Sequence, residues 1–414
     1  MIDLSHPRRI HVVGVGGSGM SAIAEVLASM GHAVSGSDQR DSGVLAHLAE
    51  AGVATRSRHE AAAVAGAEVV AVSSAVPTSN VEVVEALRLG IPVVRRAEIL
   101  AAICSQRRTV AVAGTHGKTT TSSMLAAMMQ RGGFEPSYVI GGSLGVTGTG
   151  AAWARGEWLV VEADESDGTF LELGATAVVV TSVEPDHLDH YGDFSRQQAA
   201  FARFVAGAPG PRVISLDDPG VAALARGALD MPGTAEPPVT TYGTSAGADY
   251  HMSKVALGRG FTTFDLRAFG TAIGEVKVPV PGVHNARNAC GALAMAAALG
   301  VGWSDAVGAL DGYKGVRRRF ERRGEAEGVT FVDDYGHLPG EVKPVLEAAR
   351  AGGWQRVVVV FQPHRYSRTE ALWADFADAF VDADVLVVTD VYPAGEPPRP
   401  GVSGALIANA IQDA

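Results

Sequence analysis

Val110-Ala111-Val112-Ala113-Gly114-Thr115-His116-Gly117-Lys118-Thr119-Thr120-Thr121 is the stretch that decides the fold. Its apolar and small residues predict a buried strand. A glycine-bounded turn follows, and a helical run covers Ser122 to Gln130. Strand, turn and helix in this order make a phosphate loop: backbone N–H groups of the turn and the helix N-terminus face phosphate oxygens. Lys118 supplies a fixed positive charge and Thr119 a hydroxyl suited to Mg²⁺. The spacing departs from GxxxxGK[ST], because Val112 stands where the first glycine would be. An ordinary glycine-rich β–α turn is the bland alternative, and the Gly-Lys-Thr placement argues against it.

Outward from this turn, 414 residues are too many for one compact core and predict several domains. The formal charge, 34 − 45 = −11, comes with no long basic run, which argues against a nucleic-acid partner. Met1–Ala24 holds no uninterrupted apolar signal core, and runs such as Val357–Phe361 and Val385–Val388 are strand-sized. No membrane insertion is expected. Cys104 and Cys290 alone make no disulfide framework, so a cytoplasmic location is expected.

Before the turn, strand Ile10–Val15 leads into Gly14-Val15-Gly16-Gly17-Ser18-Gly19, a helix over Met20–Met30, and strand Ala33–Gly36 ending at Ser37-Asp38. This βαβ unit suits a diphosphate on the glycines, with Asp38 near a ribose or base. The alternative is that the glycines only let helix and strand pack closely. Further units follow at Val69–Ser73, Val81–Leu89 and Pro92–Val94, and a helix in Arg95–Arg108 ends in a charged linker.

After it come strands Trp158–Ala163 and Ala177–Ser182 and helix Arg196–Ala206. Pro209–Pro211 and Met231–Pro238 read as loops, Asp249–Pro281 as a small peripheral β region, and Ala286–Leu299 as a helix. Beyond Tyr313 the pattern resets: strand Val329–Asp333, helix Glu341–Arg350, strand Arg356–Phe361, helix Thr369–Val381, strand Asp384–Thr389. The expected class is α/β with three domains. Residues 1–107 are Rossmann-like, 108–313 form a central P-loop ATPase-like domain with a mostly parallel sheet, and 314–414 form a C-terminal Rossmann-like domain.

Chemistry-bearing residues sit at the strand ends, where open parallel sheets bind ligands. Glu162-Ala163-Asp164-Glu165-Ser166-Asp167 is a metal-binding candidate or a solvated acidic turn. Glu184-Pro185-Asp186-His187-Leu188-Asp189-His190 offers metal ligands, general bases, or a helix cap at His187. In His284-Asn285-Ala286-Arg287-Asn288, either asparagine caps a helix or pairs its amide with adenine. Arg317-Arg318-Arg319-Phe320 is a solvated charge run or a cover for a transferred phosphoryl group. Asp333-Asp334-Tyr335-Gly336-His337 and Gln362-Pro363-His364-Arg365-Tyr366-Ser367-Arg368 suggest a wall for a carboxylate, for which Arg365 and Arg368 suit bidentate recognition.

Taken in order, these motifs resemble the Mur ligases along essentially the whole chain. The resemblance implies an ATP-dependent C–N ligase that uses Mg²⁺ and joins an amino acid to UDP-N-acetylmuramate. Tyr191–Pro211 contains no lysine, which supports the branch that adds L-alanine, since several other branches carry a carbamylated lysine there. It further implies that Gly14, Gly16, Gly17, Ser18, Gly19, Asp38 and Ser74 hold the UDP-sugar. Gly114, Thr115, His116, Gly117, Lys118, Thr119, Thr120, Asn285, Asn288 and Arg319 would contact ATP, and Thr119, Glu162 and His187 would surround Mg²⁺. Lys118, His187, Arg319, Asp334 and His337 are the implied catalytic residues. Tyr335, His337, Arg365 and Arg368 would meet the amino acid, in a site that domain closure shields from water.

Two departures stand out. Leu338 and Gly340 replace a histidine and a threonine usual in the family, and the chain stops short of where such ligases usually end, implying a truncated third domain. A catalytically impaired relative that still binds UDP-sugar and nucleotide is therefore the competing expectation. An NAD-dependent dehydrogenase would rest on Gly14–Gly19 and Asp38 only and leaves the phosphate loop unexplained.

Overall fold

The computed structural model describes residues 2–142, 149–230 and 238–414. Most of the Met231–Pro238 loop expected from sequence lies outside them. The chain divides into two compact units. One comprises Met1–Met252, Arg267–Thr271 and Asn288–Tyr313; the other comprises Ser253–Leu266, Ala272–Arg287 and Lys314–Ala414.

The first unit begins with a five-stranded parallel sheet. Its order across the sheet is Ala54–Arg56, Ala33–Ser37, Arg9–Val13, Val69–Val72, Val93–Arg95. The first strand is thus central, with its successors laid down on opposite sides. That reversal leaves a crevice at the strand's C-terminal end, and the Gly14–Gly19 turn sits there. Val12 and Val13 are fully buried, and the helix Ser18–Ser29 packs Ile23, Ala24, Val26 and Leu27 into the core. The helix starts two residues earlier than its apolar periodicity suggested, because Gly17 can serve as N-cap without a side chain.

The larger sheet of this unit runs Val239–Gly243, Arg212–Ser215, Ala177–Val180, Arg108–Ala113, Trp158–Glu162, Ser137–Val139, all parallel. The short strand Ala151–Ala152 adds antiparallel to Ser137–Val139. Arg108–Ala113 is therefore an interior strand, and Val110, Ala111, Val112 and Ala113 have no exposed surface. Burial on both faces explains the unbroken apolar run. Its two neighbours end at Glu162 and Val180, which puts Glu162–Glu165 and Thr181–Glu184 on either side of the turn that follows Ala113.

In the second unit, strands Glu321–Ala326 and Val329–Asp333 form an antiparallel hairpin, with a register shift between Arg322 and Gly324. Val358–Phe361 and Val385–Val388 pair in parallel. Val329–Asp333, expected as one strand of an alternating α/β block, pairs in the hairpin instead because only two residues separate it from its partner strand. Val342, Leu346, Val357, Phe361, Phe376, Ala379, Phe380 and Ile407 make the local core. The helix expected over Thr369–Val381 is interrupted: an α-helix covers Tyr366–Leu372, and a 3₁₀ turn continues at Trp373–Phe376. The peripheral strands are Tyr250–Gly258, Phe261–Ala268 and Thr271–Val278.

Gly36 shows how tightly the first sheet supports its glycine turn: a Cβ there would lie 2.8 Å from Val15 Cβ. Both backbone and neighbour are buried, so the strain has no outlet. Gly36→Ala is expected to cost about 1–3 kcal/mol. The check is a lower urea midpoint than wild type, with Gly31→Ala as no control for packing but a control for backbone strain, since nothing lies within 4 Å of a Cβ at Gly31.

Candidate active site

The turn after strand Arg108–Ala113 is built by two glycines that no other residue can replace. Gly114 has φ 140°, and a Cβ there would come 2.1 Å from Thr181 Oγ1. Gly117 has φ 83° as the left-handed N-cap of helix Lys118–Arg131, and its Cβ would come 2.3 Å from Asn288 Oδ1. The turn is pinned from the neighbouring strand end: Thr115 N donates to Ser182 O (3.0 Å) and His116 N to Ser182 Oγ (2.8 Å). No side chain caps the helix N-terminus, which leaves its positive end to a ligand. The helix begins at Lys118, four residues before the apolar pattern predicted, since Thr119, Thr120 and Thr121 are buried despite their polarity.

Lys118 reaches back across the turn. Its Nζ donates to Gly114 O (2.6 Å) and to both carboxylate oxygens of Glu165 (2.9 and 2.8 Å). Burial alone would push the Lys118 ammonium pKa down, but Glu165, Asp164 and Glu162 outweigh it and the net shift is upward. Burial raises the Glu165 pKa in turn, while Lys118 pulls it back. Both Glu165 oxygens act as acceptors, so the pair is ionised.

Beside it, Thr119 Oγ1 donates to Glu162 Oε1 (3.0 Å), and Gly141 N donates to Oε2 (2.7 Å). These adjacent oxygens are a donor set that fits a hard cation such as Mg²⁺. His187 stands apart from that pair in its bonding: its Nε2 lies 3.3 Å from Asp186, and its backbone is left-handed at φ 53° as N-cap of Leu188–Tyr191. Among the described residues no group of three or more His, Cys, Asp or Glu side chains is placed to hold a metal. His116 Nε2 faces Glu184 Oε2 at 3.2 Å. Thr120 is buried at the first helical turn.

Asn288 is buried against Gly117. Asn285 belongs to the second unit, where its Nδ2 donates to Pro281 O at 2.7 Å. Both lie inside helix Val283–Ala298 rather than at its cap, which corrects the capping alternative.

At the glycine turn, Gly14 has φ 78° and donates its N–H to Ser37 O (2.8 Å), and Gly17 N reaches Gly14 O (3.3 Å). Asp38 sits closer to the turn than expected: its Oδ2 accepts from Gly16 N (2.9 Å) and its Oδ1 from Arg40 N (3.1 Å). A Cβ at Gly19 would lie 2.8 Å from Arg96 Nε, and Arg96 Nη1 pairs with Asp164 Oδ2 at 3.4 Å. Arg96 thus ties the glycine turn to the acidic strand end. Ser18 opens the helix, its side chain outside the described ones, and Ser74 is exposed in the turn after Val69–Val72.

In the second unit a different cluster assembles. Asp334 accepts from Phe320 N and Gly336 N, both at 2.7 Å, and so staples the Arg318–Phe320 turn to the end of Val329–Asp333. Burial raises its pKa against these bonds. Arg319 Nη1 lies 3.5 Å from Glu341 Oε1, and His337 N donates to Glu341 Oε2 (2.9 Å). The His337 ring lies 5.3 Å from Tyr335 and 5.9 Å from His364, which stacks on Tyr392 at 5.3 Å. Arg368 Nη1 donates to His364 O at 3.4 Å. Arg365 is left-handed at φ 73° and donates its N–H to Tyr392 O (2.8 Å). Leu338 is buried as N-cap of Pro339–Ala351, so the apolar replacement is housed in packing.

Sequence reasoning did not single out Glu165, Glu341 or Arg96. Glu165 was one of four acids in six residues, and nothing in the spacing says which one meets Lys118. Glu341 follows the expected site motif, and Arg96 opens the helix expected in Arg95–Arg108, to which no site role is attached.

Three family models match: the Mur ligase family catalytic domain at residues 9–108, the Mur ligase middle domain at 112–296, and the Mur ligase glutamate ligase domain at 318–414. A UDP-N-acetylmuramate–L-alanine ligase of Geobacter sp. (strain M21) is 47% identical over 408 residues, 98% of this chain and 87% of that protein. One of Agrobacterium fabrum is 44% identical over 413 residues, covering 98% and 86%. Among solved structures, the UDP-N-acetylmuramate-alanine ligase of Thermotoga maritima superposes with TM-score 0.83 at 28% identity, covering 98% of this chain and 88% of that one.

The His364 pKa is lowered to about 4, first by burial and then by His337, Arg368 and Arg365. A histidine held neutral when folded but titrating near 6.5 when unfolded favours the fold above pH 6.5. That contribution is lost as pH falls from about 6.5 to about 4. His364→Gln is therefore expected to lower the thermal midpoint less than wild type does between pH 7 and pH 5, as read by calorimetry.

Proposed function

This chain belongs to the Mur ligase family, and we propose that it is the ATP-dependent ligase that joins L-alanine to the lactyl carboxylate of UDP-N-acetylmuramate in peptidoglycan precursor synthesis. The observation that carries this reading is 44–47% identity across 98% of the chain to ligases named for that reaction. Retention of Lys118, Glu162, His187, Arg319 and Asp334 favours an active enzyme over an impaired relative. The domains divide the work: 1–107 hold the UDP-sugar, 108–313 hold ATP, and 314–414 serve the amino acid. ATP and a UDP-sugar as substrates place the reaction in the cytoplasm. No helix among the described residues is long and apolar enough to cross a membrane.

In the reaction the lactyl carboxylate attacks the γ-phosphoryl group, forming an acyl phosphate and releasing ADP. The free amine of alanine then attacks the acyl carbon, a tetrahedral intermediate forms, and phosphate leaves. The Gly114–Thr120 turn cradles the phosphates with backbone N–H groups, while Lys118 aims its charge at the β/γ oxygens. Thr119 and Glu162 would hold Mg²⁺, with His187 beside them, and the ion would offset phosphate charge. Arg319 supplies a second positive group for the transferring phosphoryl. Asn285 and Asn288 are assigned to the nucleotide, and Tyr335, His337, Arg365 and Arg368 to the amino acid. Asp38 and the Gly14–Gly19 turn are assigned to the UDP-sugar.

Phosphate release from MgATP is expected only when UDP-N-acetylmuramate and L-alanine are both present; release with glycine or serine in place of alanine would reassign the substrate. Lys118→Met is expected to lower kcat by about 10²–10³-fold, the scale of losing one charge-stabilising donor. Full activity in that variant would remove the phosphate role from Lys118.

A further inference from the structure

Lys118 Nζ has three N–H groups, and the structure accounts for two directions: Gly114 O at 2.6 Å and the Glu165 carboxylate at 2.8–2.9 Å. Thr115 O, at 3.5 Å, is a weak third partner that a phosphate oxygen readily displaces. Glu165 is 1% exposed and Lys118 15% exposed in their side chains. The Glu165 backbone is fixed as well, because its carbonyl accepts from the Tyr191 hydroxyl and from Gly168 N. A carboxylate so buried cannot give up Lys118, its one cationic partner among the described residues, without being stranded, which is strongly unfavourable. A triphosphate arriving at the turn brings more negative charge. The Mg²⁺ that accompanies it is assigned to Thr119 and Glu162, which are bonded to each other and not to Glu165, so Glu165 gains no partner in exchange for Lys118.

We propose that Glu165 is a positioning residue that stays bound to Lys118 when nucleotide binds and directs the lysine's remaining N–H at the γ-phosphoryl group. The inference rests on the assignment of Lys118 to the ATP phosphates. Its physical content is preorganisation. A lysine ammonium is a compact point charge on a flexible four-carbon stem. Clamped on two sides, it keeps one direction and pays no reorganisation as charge shifts during transfer. Glu165 touches no reacting atom; it acts through Lys118.

The discriminating quantity is the preference for a γ-phosphate, which a loosened fold would not alter selectively. Calorimetric titration of the full chain with Mg²⁺ and either ADP or a non-hydrolysable ATP analogue gives that preference as a ratio of dissociation constants. In Glu165→Gln the ratio in favour of the ATP analogue is expected to fall by about tenfold, the scale of one hydrogen bond to a charged group. The thermal midpoint falls as well, because the ammonium loses its anion, but lost stability alone leaves the ratio where it was. Glu165→Asp keeps the charge but is one methylene short of Nζ, so it should show the same fall even if the glutamine variant folds poorly. An unchanged ratio in either variant overturns the proposal. So does tighter binding of both nucleotides, which would make Glu165 a competitor for Lys118. Failure of the wild-type chain to bind either nucleotide would instead overturn the phosphate assignment beneath it.

Discussion

A largely buried lysine ammonium at the start of a helix is the constraint around which the Gly114–Gly117 turn is arranged. Lys118 needs an anion within hydrogen-bond reach, and Glu165 supplies one at 2.8 Å. Glu165 can do so only because strand Trp158–Glu162 lies directly beside Arg108–Ala113, so that its outgoing loop ends over the turn. The turn in turn needs Gly114 and Gly117, because side chains there would strike Thr181 and Asn288. Lysine, acid, strand order and glycines form one dependency, and altering any of them releases the others.

The same logic places the two glycine turns. Each follows an interior strand of a parallel sheet and opens a helix with no side-chain cap: Gly14–Gly19 after Arg9–Val13, and Gly114–Gly117 after Arg108–Ala113. Interior position buries the strand on both faces, while the turn beyond its end brings the positive N-terminus of a helix to the edge of the sheet. Arg96 spans the gap between the two sets, paired with Asp164 while lying against Gly19. That contact links the Gly14–Gly19 turn to the acidic strand end within one compact unit.

Much of this was legible from residues because it depends on local chemistry. Gly-Lys-Thr after an apolar run, and Gly-x-Gly-Gly-x-Gly after another, encode strand, turn and helix directly. What the sequence concealed depends on neighbours far along the chain. The choice of Glu165 over Asp164 or Asp167 as the partner of Lys118 is set by the pairing of two strands. The helix starting at Lys118 rather than Ser122 reflects burial of three threonines that periodicity counts as polar. The expected position of Asp38 beside a ribose missed its bond to Gly16 N, since the return of strand Ala33–Ser37 to the glycine turn is a tertiary fact. In the second unit, Glu341 gathers Arg319 and His337 from separate motifs, and no spacing rule announces it.

In the proposed reaction, direct phosphoryl transfer from ATP activates the lactyl carboxylate. The most direct measurement uses UDP-N-acetylmuramate with ¹⁸O in its lactyl carboxylate, and follows the released phosphate by ³¹P NMR during turnover with L-alanine. Attack on the γ-phosphoryl followed by loss of phosphate from the acyl carbon carries one ¹⁸O into inorganic phosphate. Phosphate released with no ¹⁸O, while the alanyl product still forms, would contradict the account.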